Sequence, residues 1–299
     1  MSVVKSVAVA GASGNLGPHI VKALVTAGLQ VTVLTRSKKP GTYDSSVKAV
    51  EVDFTSVESL TAALQGIDGL VSTVTATAIE NQTILIDAAI AAGVKRVIPS
   101  EFGSCTISPK VADLPMYSSM FKIKRYLEEQ ATAGKLTWTV LACGAFIDMV
   151  FAYPVLLDFA NHKVTLYDKG DNRISSTSMD DIGKAIVGIF RIYEETKNKI
   201  LRVSQVILTQ NGLLKIAQEL KPTVKWEISE VQTSVLLQQS LEEIKAGNFS
   251  QPTVMKLIYS TAFGGEAYGT AYDENDNQLL GIKELTEEYL KERVAKALG

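Results

Sequence analysis

Gly11, Gly14 and Gly17 follow a short apolar run, Val7–Ala10, and open an amphipathic stretch, Leu16–Ala27. Glycines so spaced between a strand and a helix suit contact with phosphate. The first makes the tight turn, the second lets backbone approach a pyrophosphate, and the third lets the helix pack closely on the strand. The free N–H groups at the helix start then face the anion. Ser13, Asn15 and Leu16 fill the turn and join the glycines as expected contacts. This context reads as a dinucleotide site rather than a purely structural turn.

The end of the second strand selects the dinucleotide. A site for the unphosphorylated ribose places Asp or Glu there. This chain instead has Thr35-Arg36-Ser37-Lys38-Lys39, with no carboxylate. A guanidinium beside ammonium groups suits a 2′-phosphate, which Arg36 can hold through two hydrogen bonds. NADPH/NADP+ is therefore the expected cofactor. Asp53 and Phe54 close the third strand. Asp53 can reach an adenine amino group or cap the next helix, and both readings stay open. Thr73, Val74 and Thr75 end the fourth strand, at the mouth where a cofactor passes.

Other chemistry is thinly supplied. The 299 residues contain two histidines, His19 and His162, and two cysteines, Cys105 and Cys143. A Cys/His metal cluster is excluded, and triad catalysis has little to work with. No metal is expected. His162 sits in an irregular stretch that can line a pocket, whereas His19 reads as a packing or surface residue. Thirty basic against thirty-two acidic residues give a net charge of −2, which argues against a basic nucleic-acid binder. Lys5 interrupts the hydrophobic start, which reads as a strand and not a signal peptide. Asp148 and Pro154 break the most apolar stretch, so no membrane span is expected. Two separated cysteines fit a reduced, cytoplasmic protein.

The elements that must position these residues alternate. Apolar runs at Val7–Ala10, Gln30–Thr35, Val47–Val52, Gly69–Thr75, Arg96–Pro99 and Leu136–Ala142 are separated by helical patterns at Leu16–Ala27, Val57–Leu64, about Glu80–Ala92 and Met116–Ala133. That alternation predicts an α/β fold, a Rossmann-type doubly wound parallel sheet. Beyond Gly144 the pattern degrades, and late helices are expected at 210–220, 234–246, 253–260 and 282–298. The expected division is a nucleotide-binding domain over 1–150, with returns near 179–203, and a smaller, mostly helical substrate domain over 151–299. With 46% hydrophobic residues, the chain has enough apolar material for both.

The phrase Gly93-Val-Lys-Arg-Val-Ile-Pro-Ser100-Glu101-Phe102-Gly103, with the Gly11–Gly17 loop, the Thr35-Arg36 strand end and Met179-Asp-Asp-Ile-Gly183, resembles the NmrA-like and isoflavone-reductase-like family. These are atypical members of the short-chain dehydrogenase superfamily. The resemblance covers roughly residues 3–203. It implies that Ser100 and Phe102 contact the cofactor. It also implies either an NADPH-dependent reductase of secondary metabolism or an NADP(H)-binding redox sensor without turnover. Reductases of the family carry a lysine at the start of the helix after this phrase, proposed as general acid or base. Aligned on Ile123-Lys124-Arg125, that position is Met120. Lys122 lies about 200° around the helix axis from it. Tyr117, one turn earlier, is the second candidate acid. The superfamily's Tyr-x-x-x-Lys pair occurs only as Tyr193 and Lys197, in a charged segment.

The function expected from these readings is hydride transfer from NADPH to an activated C=C, C=O or C=N bond of a small aromatic metabolite. Lys122 or Tyr117 would supply the proton. Gly103, Gly144, Phe146, Phe151, Tyr153 and His162 would frame the substrate. The alternatives are the redox sensor and a non-redox cyclase or isomerase on a reductase scaffold. The expected partner is a small organic molecule, with a homodimer open and neither nucleic acid nor membrane involved.

Overall fold

The computed structural model describes residues 4–38, 41, 43–75 and 78–299. Lys39 lies outside the described residues. Seven parallel strands form the main sheet: β1 (Ser6–Ala10), β2 (Gln30–Thr35), β3 (Val47–Glu51), β4 (Gly69–Ser72), β5 (Arg96–Ile98), β6 (Thr137–Ala142) and β10 (Lys199–Arg202), in the order β10-β6-β5-β4-β1-β2-β3. The first crossovers are α1 (Gly17–Thr26), α2 (Val57–Leu64), α3 (Gln82–Ala91) and α4 (Tyr117–Thr132). A later one, α6 (Met179–Arg191), leads into β10.

A sheet covered on both faces needs strands apolar throughout, and β1 is buried at all five positions. On one face α1 and α6 cover it through Ile20, Leu24, Ile182, Ile186 and Phe190. On the other, Leu60, Leu64, Leu85, Ile86, Ile123 and Leu127 from α2, α3 and α4 do so. The polar face of α1 ends at Gly28, whose φ of +78° stops the helix without strain. Ser56 caps α2 by accepting from Ser59 N at 3.1 Å.

The register aligns the chemistry. Ala10 sits opposite Leu34 in β2 and Ser72 in β4, so Gly11, Thr35 and Thr73 leave the sheet at one edge. The chain order reverses between β1 and β4, the switch point at which such sheets bind ligands. Ser100 follows β5, and Cys143-Gly144 follows β6, at the same edge.

The opposite edge is structural. Arg96 is fully buried with no ion pair among the described residues, and its guanidinium donates to Thr137 Oγ1 (2.6 Å), Thr139 Oγ1 (2.8 Å), Thr196 Oγ1 (3.1 Å) and the Tyr193 carbonyl (2.8 Å). The Tyr193 ring lies 4.1 Å from the guanidinium carbon. The Tyr193–Lys197 spacing thus falls on the plug that closes the sheet's far end.

The remaining segments add short strands to the helices expected there. β7 (Ala145–Phe146), β9 (Ile174–Thr177) and β11 (Val206–Leu208) make a three-stranded sheet, and β8 (Lys163–Tyr167) pairs with β12 (Glu227–Val231). Around them pack α5 (Ile147–Ala152), α7 (Gln210–Leu220), α8 (Thr233–Lys245), α9 (Gln251–Ala262), α10 (Asn277–Leu280) and α11 (Glu287–Leu298). Among the described residues no helix is long and apolar enough to cross a membrane.

Candidate functional site

A cleft of about 780 Å³ opens at the switch point. Its floor is Gly11, Ser13 and Gly14. Gly11 has φ +84°, and a Cβ there would stand 2.5 Å from the Thr73 carbonyl oxygen. Gly14 N donates to Gly11 O at 3.0 Å. At Gly17 a Cβ would meet the Ala12 Cα at 2.5 Å, so the third glycine serves the close approach of α1. Asn15 is exposed and Leu16 buried at the helix start. Leu16 gives α1 no side-chain cap, Pro18 carries no N–H and His19 N donates to Leu16 O at 3.1 Å, so Gly17 N is the helix-start donor left for an anion.

One wall carries Thr35, Arg36, Ser37 and Lys38. Thr35 Oγ1 donates to Ser37 O at 2.9 Å and holds the turn that presents Arg36. Arg36 is exposed, and among the described residues no ion pair engages it. Lys38 N donates to Glu51 Oε2 at 3.2 Å. Phe54 lines the cleft, but Asp53 does not. Asp53 Oδ1 accepts from Thr55 N (2.8 Å) and Thr55 Oγ1 (2.7 Å), bonds that hold the carboxyl below its ordinary range. Its Oδ1 is engaged in the turn, and Ser56 caps α2.

Thr73, Val74 and Thr75 form the opposite wall, together with Asn81, Gln82 and Tyr43, which the sequence reading missed. Gln82 is 2% exposed and anchors the next loop by accepting from Ser100 N at 2.8 Å. Its amide nitrogen has no partner among the described residues. Ser100 Oγ donates to Val74 O at 2.8 Å, and Phe102 packs on the α1–α6 core. A glycine turn with no room for a Cβ, an uncapped helix start and a guanidinium with no ion pair among the described residues together fit a phosphorylated dinucleotide.

Beyond Ser100 the loop turns inward. Gly103 O accepts from Gly144 N at 3.2 Å and from Tyr272 Oη at 3.2 Å, and Tyr272 also bonds Ser104 O. Gly144 has φ +71°, and a Cβ would lie 2.0 Å from Ser175 O, so these glycines join the β5 and β6 loops at close quarters. Between them Glu101 is 6% exposed, and its Oε1 has no partner among the described residues. Burial pushes its carboxyl up to about 7, with the Thr106 hydroxyl and the Lys124 ammonium acting in the opposite direction.

The two residues expected to donate a proton are placed otherwise. Tyr117 is 2% exposed. Its hydroxyl shares a 2.7 Å hydrogen bond with Thr261 Oγ1 and accepts from Cys105 Sγ at 3.6 Å. Burial, the largest cause, raises its pKa far above the phenol range. It begins a helix whose preceding residue, Met116, has φ +71° in the left-handed region. Lys122 is exposed on the outer face of α4, whereas Met120 packs against two cores.

The expected substrate aromatics do not gather at the cleft. Phe146 packs on the α1–α6 core. Phe151 stacks on Phe159 at 5.8 Å, with the Arg293 guanidinium 5.2 Å from its ring, inside the core under α11. His162 lies edge-on to Trp226 at 5.7 Å, and Tyr153 is 56% exposed. Packing accounts for Phe151 and His162 without a ligand. His19 Nδ1 lies 2.7 Å from Asp180 and ties α1 to α6. Among the described residues no group of three His, Cys, Asp or Glu could hold a metal.

This arrangement has relatives. The chain is 30% identical over 300 residues to Oxidoreductase poxI of Penicillium oxalicum, covering 97% of this chain and 92% of that one. An isoflavone reductase crystal structure superposes with a TM-score of 0.75 at 21% identity, over 97% of this chain and 99% of the other. The Citrobacter triphenylmethane reductase, complexed with NADP(H), gives 0.74 at 20% identity over 98% and 100%. The match to the NmrA-like family spans residues 4–272, and the chain belongs to that family.

Proposed function

We propose that the protein is an NADPH-dependent reductase acting on an activated C=C, C=O or C=N bond of a small aromatic molecule. The observation that carries this reading is the cleft itself, with the Gly11–Gly17 turn at its floor and Arg36, without an ion pair among the described residues, where a dehydrogenase for NADH needs a carboxylate. The Gly11–Gly14 turn and Gly17 N at the start of α1 would hold the pyrophosphate, and Arg36, Ser37 and Lys38 the 2′-phosphate. Phe54 would lie against the adenine, and Thr73, Val74 and Thr75 against the central riboses. Bound reduced nicotinamide supplies a hydride; the chain's own part is to bind, orient and dehydrate the reacting pair. The poxI relative, named an oxidoreductase, and the NADP(H) complex of triphenylmethane reductase support the class.

With the cofactor's 2′-phosphate at Arg36 and its pyrophosphate over β1, its other end runs across β4 toward β5 and β6. The substrate would then meet it near Gly103 and Gly144. Tyr117 is committed to Thr261 and Lys122 to solvent, so the proposed reaction draws its proton from neither. That shortage favours a second reading, a sensor that binds NADP(H) without turnover. The test is NADPH consumption, followed by near-ultraviolet absorbance, across aromatic enones, imines, aldehydes and quinones, with NADPH and NADH affinities measured in parallel. Oxidation with at least one panel member, and tighter NADPH than NADH binding, is expected. Tight binding without oxidation would support the sensor, and preference for NADH would overturn the cofactor assignment.

A further inference from the structure

Glu101 lies in the loop after β5, one residue beyond Ser100, whose hydroxyl bonds the cleft-wall carbonyl of Val74. It is nine-tenths buried, and its Oε1 is unpartnered among the described residues. The Thr106 hydroxyl acts on this carboxyl, but neither Thr106 Oγ1 nor Glu101 Oε1 has a formed hydrogen bond among the described residues, so the buried oxygen forfeits hydration for little in return. Lys124 and Tyr117 of α4, Cys143 at the end of β6 and Tyr272 from the C-terminal loop all lie within its electrostatic reach. Lys124 is bonded to Glu128 at 2.7 Å, so only part of its charge effect reaches Glu101. Tyr117 and Lys124 stand seven residues apart on one face of α4, with Met120 between them.

Resting on the reductase reading, we propose that Glu101 is the proton donor of this site, doing from the β5 loop what no side chain does from position 120 of α4. As the hydride reaches the electrophilic carbon, the π-electron pair moves to the other atom of the double bond. Glu101 delivers its carboxylic proton to that atom, is left as a carboxylate, and regains a proton from water. The raised carboxyl, pushed by burial to about 7, keeps the acid form available at neutral pH. Met120 then becomes compatible with catalysis, because an ammonium there would hold Glu101 ionised.

The test measures cofactor affinity and needs no substrate. If Glu101 protonates the substrate it must stand beside the nicotinamide, where its carboxylate would attract the cationic ring of NADP+ and not the neutral ring of NADPH, so the ratio of the two affinities would report its ionisation. The 2′-phosphate titrates in both nucleotides and cancels in the ratio. Calorimetric titration of the full chain across neutrality should show NADP+ gaining on NADPH by roughly tenfold as pH rises through about 7. Glu101→Gln, which keeps the shape of the side chain, should flatten the ratio. Lys124→Met, on a partly exposed helix face, should move the break to higher pH. A ratio flat in the unmodified protein, or sloping equally in Glu101→Gln, would overturn the proposal. Failure of both nucleotides to bind would overturn the reductase reading and this one with it.

Discussion

Arg36 and Glu101 are the two residues on which the reading turns, and they were unequally visible. A guanidinium at a strand end, with no acid beside it, is local information, and its pairing with a phosphate follows from its chemistry. Arg36→Ala should weaken NADPH binding about 10- to 100-fold and leave NADH nearly unchanged, as loss of a charged hydrogen bond predicts. Parallel fluorescence titrations with the two nucleotides check this. Glu101 stood inside a recognisable phrase, but its burial depends on Tyr272, about 170 residues away, and on the turn of α4 against the loop. No local pattern carries that. Asp53 was ambiguous in sequence because one carboxylate can satisfy a turn or a ligand. The bonds to Thr55 engage its Oδ1 in the turn.

At the scale of elements, Gln30–Thr35, Val57–Leu64 and Gln210–Leu220 have the bounds that periodicity predicts, because each is ended by a turn, a cap or a burial boundary written locally. Residues 145–178 resisted. β9 is Ile-Ser-Ser-Thr, buried at every position, and neither alternates nor looks apolar; long-range bonds engage Thr177 Oγ1 with Val203 O at 3.2 Å and Ser175 Oγ with Tyr272 N at 2.7 Å, while Ser176 Oγ has no partner among the described residues. β12, Glu-Ile-Ser-Glu-Val, is mostly exposed and exists by pairing with β8. The same long-range bonding redefines Tyr117, which staples α4 to α9 through Thr261. Tyr117→Phe should cost about 1–2 kcal/mol in stability, the usual result of deleting a buried hydrogen bond. Chemical denaturation measures the loss, and the pH dependence of the cofactor-affinity ratio should keep its break.

On the scale of the whole molecule, the buried plug around Arg96 closes one edge of the sheet, and the loops after β1, β4, β5 and β6 open the other to chemistry. Glu101 links that second edge to global stability. Its carboxyl is raised in the folded chain from 4.5 to about 7, so the protonated form favours the fold. The contribution is complete below the unfolded value and is lost as pH rises through about 7. Stability should fall by roughly 3 kcal/mol across that window from this group alone, and Glu101→Gln should remove the slope in melting temperature.

The central claim is that the chain directs a hydride from NADPH into a substrate. Its most direct test uses NADPH deuterated at the transferable position of the nicotinamide, with the substrate that the panel identifies and mass analysis of the product. The account predicts one deuterium at the carbon of the reduced double bond. Product that forms without deuterium, with the labelled cofactor unconsumed, would contradict it.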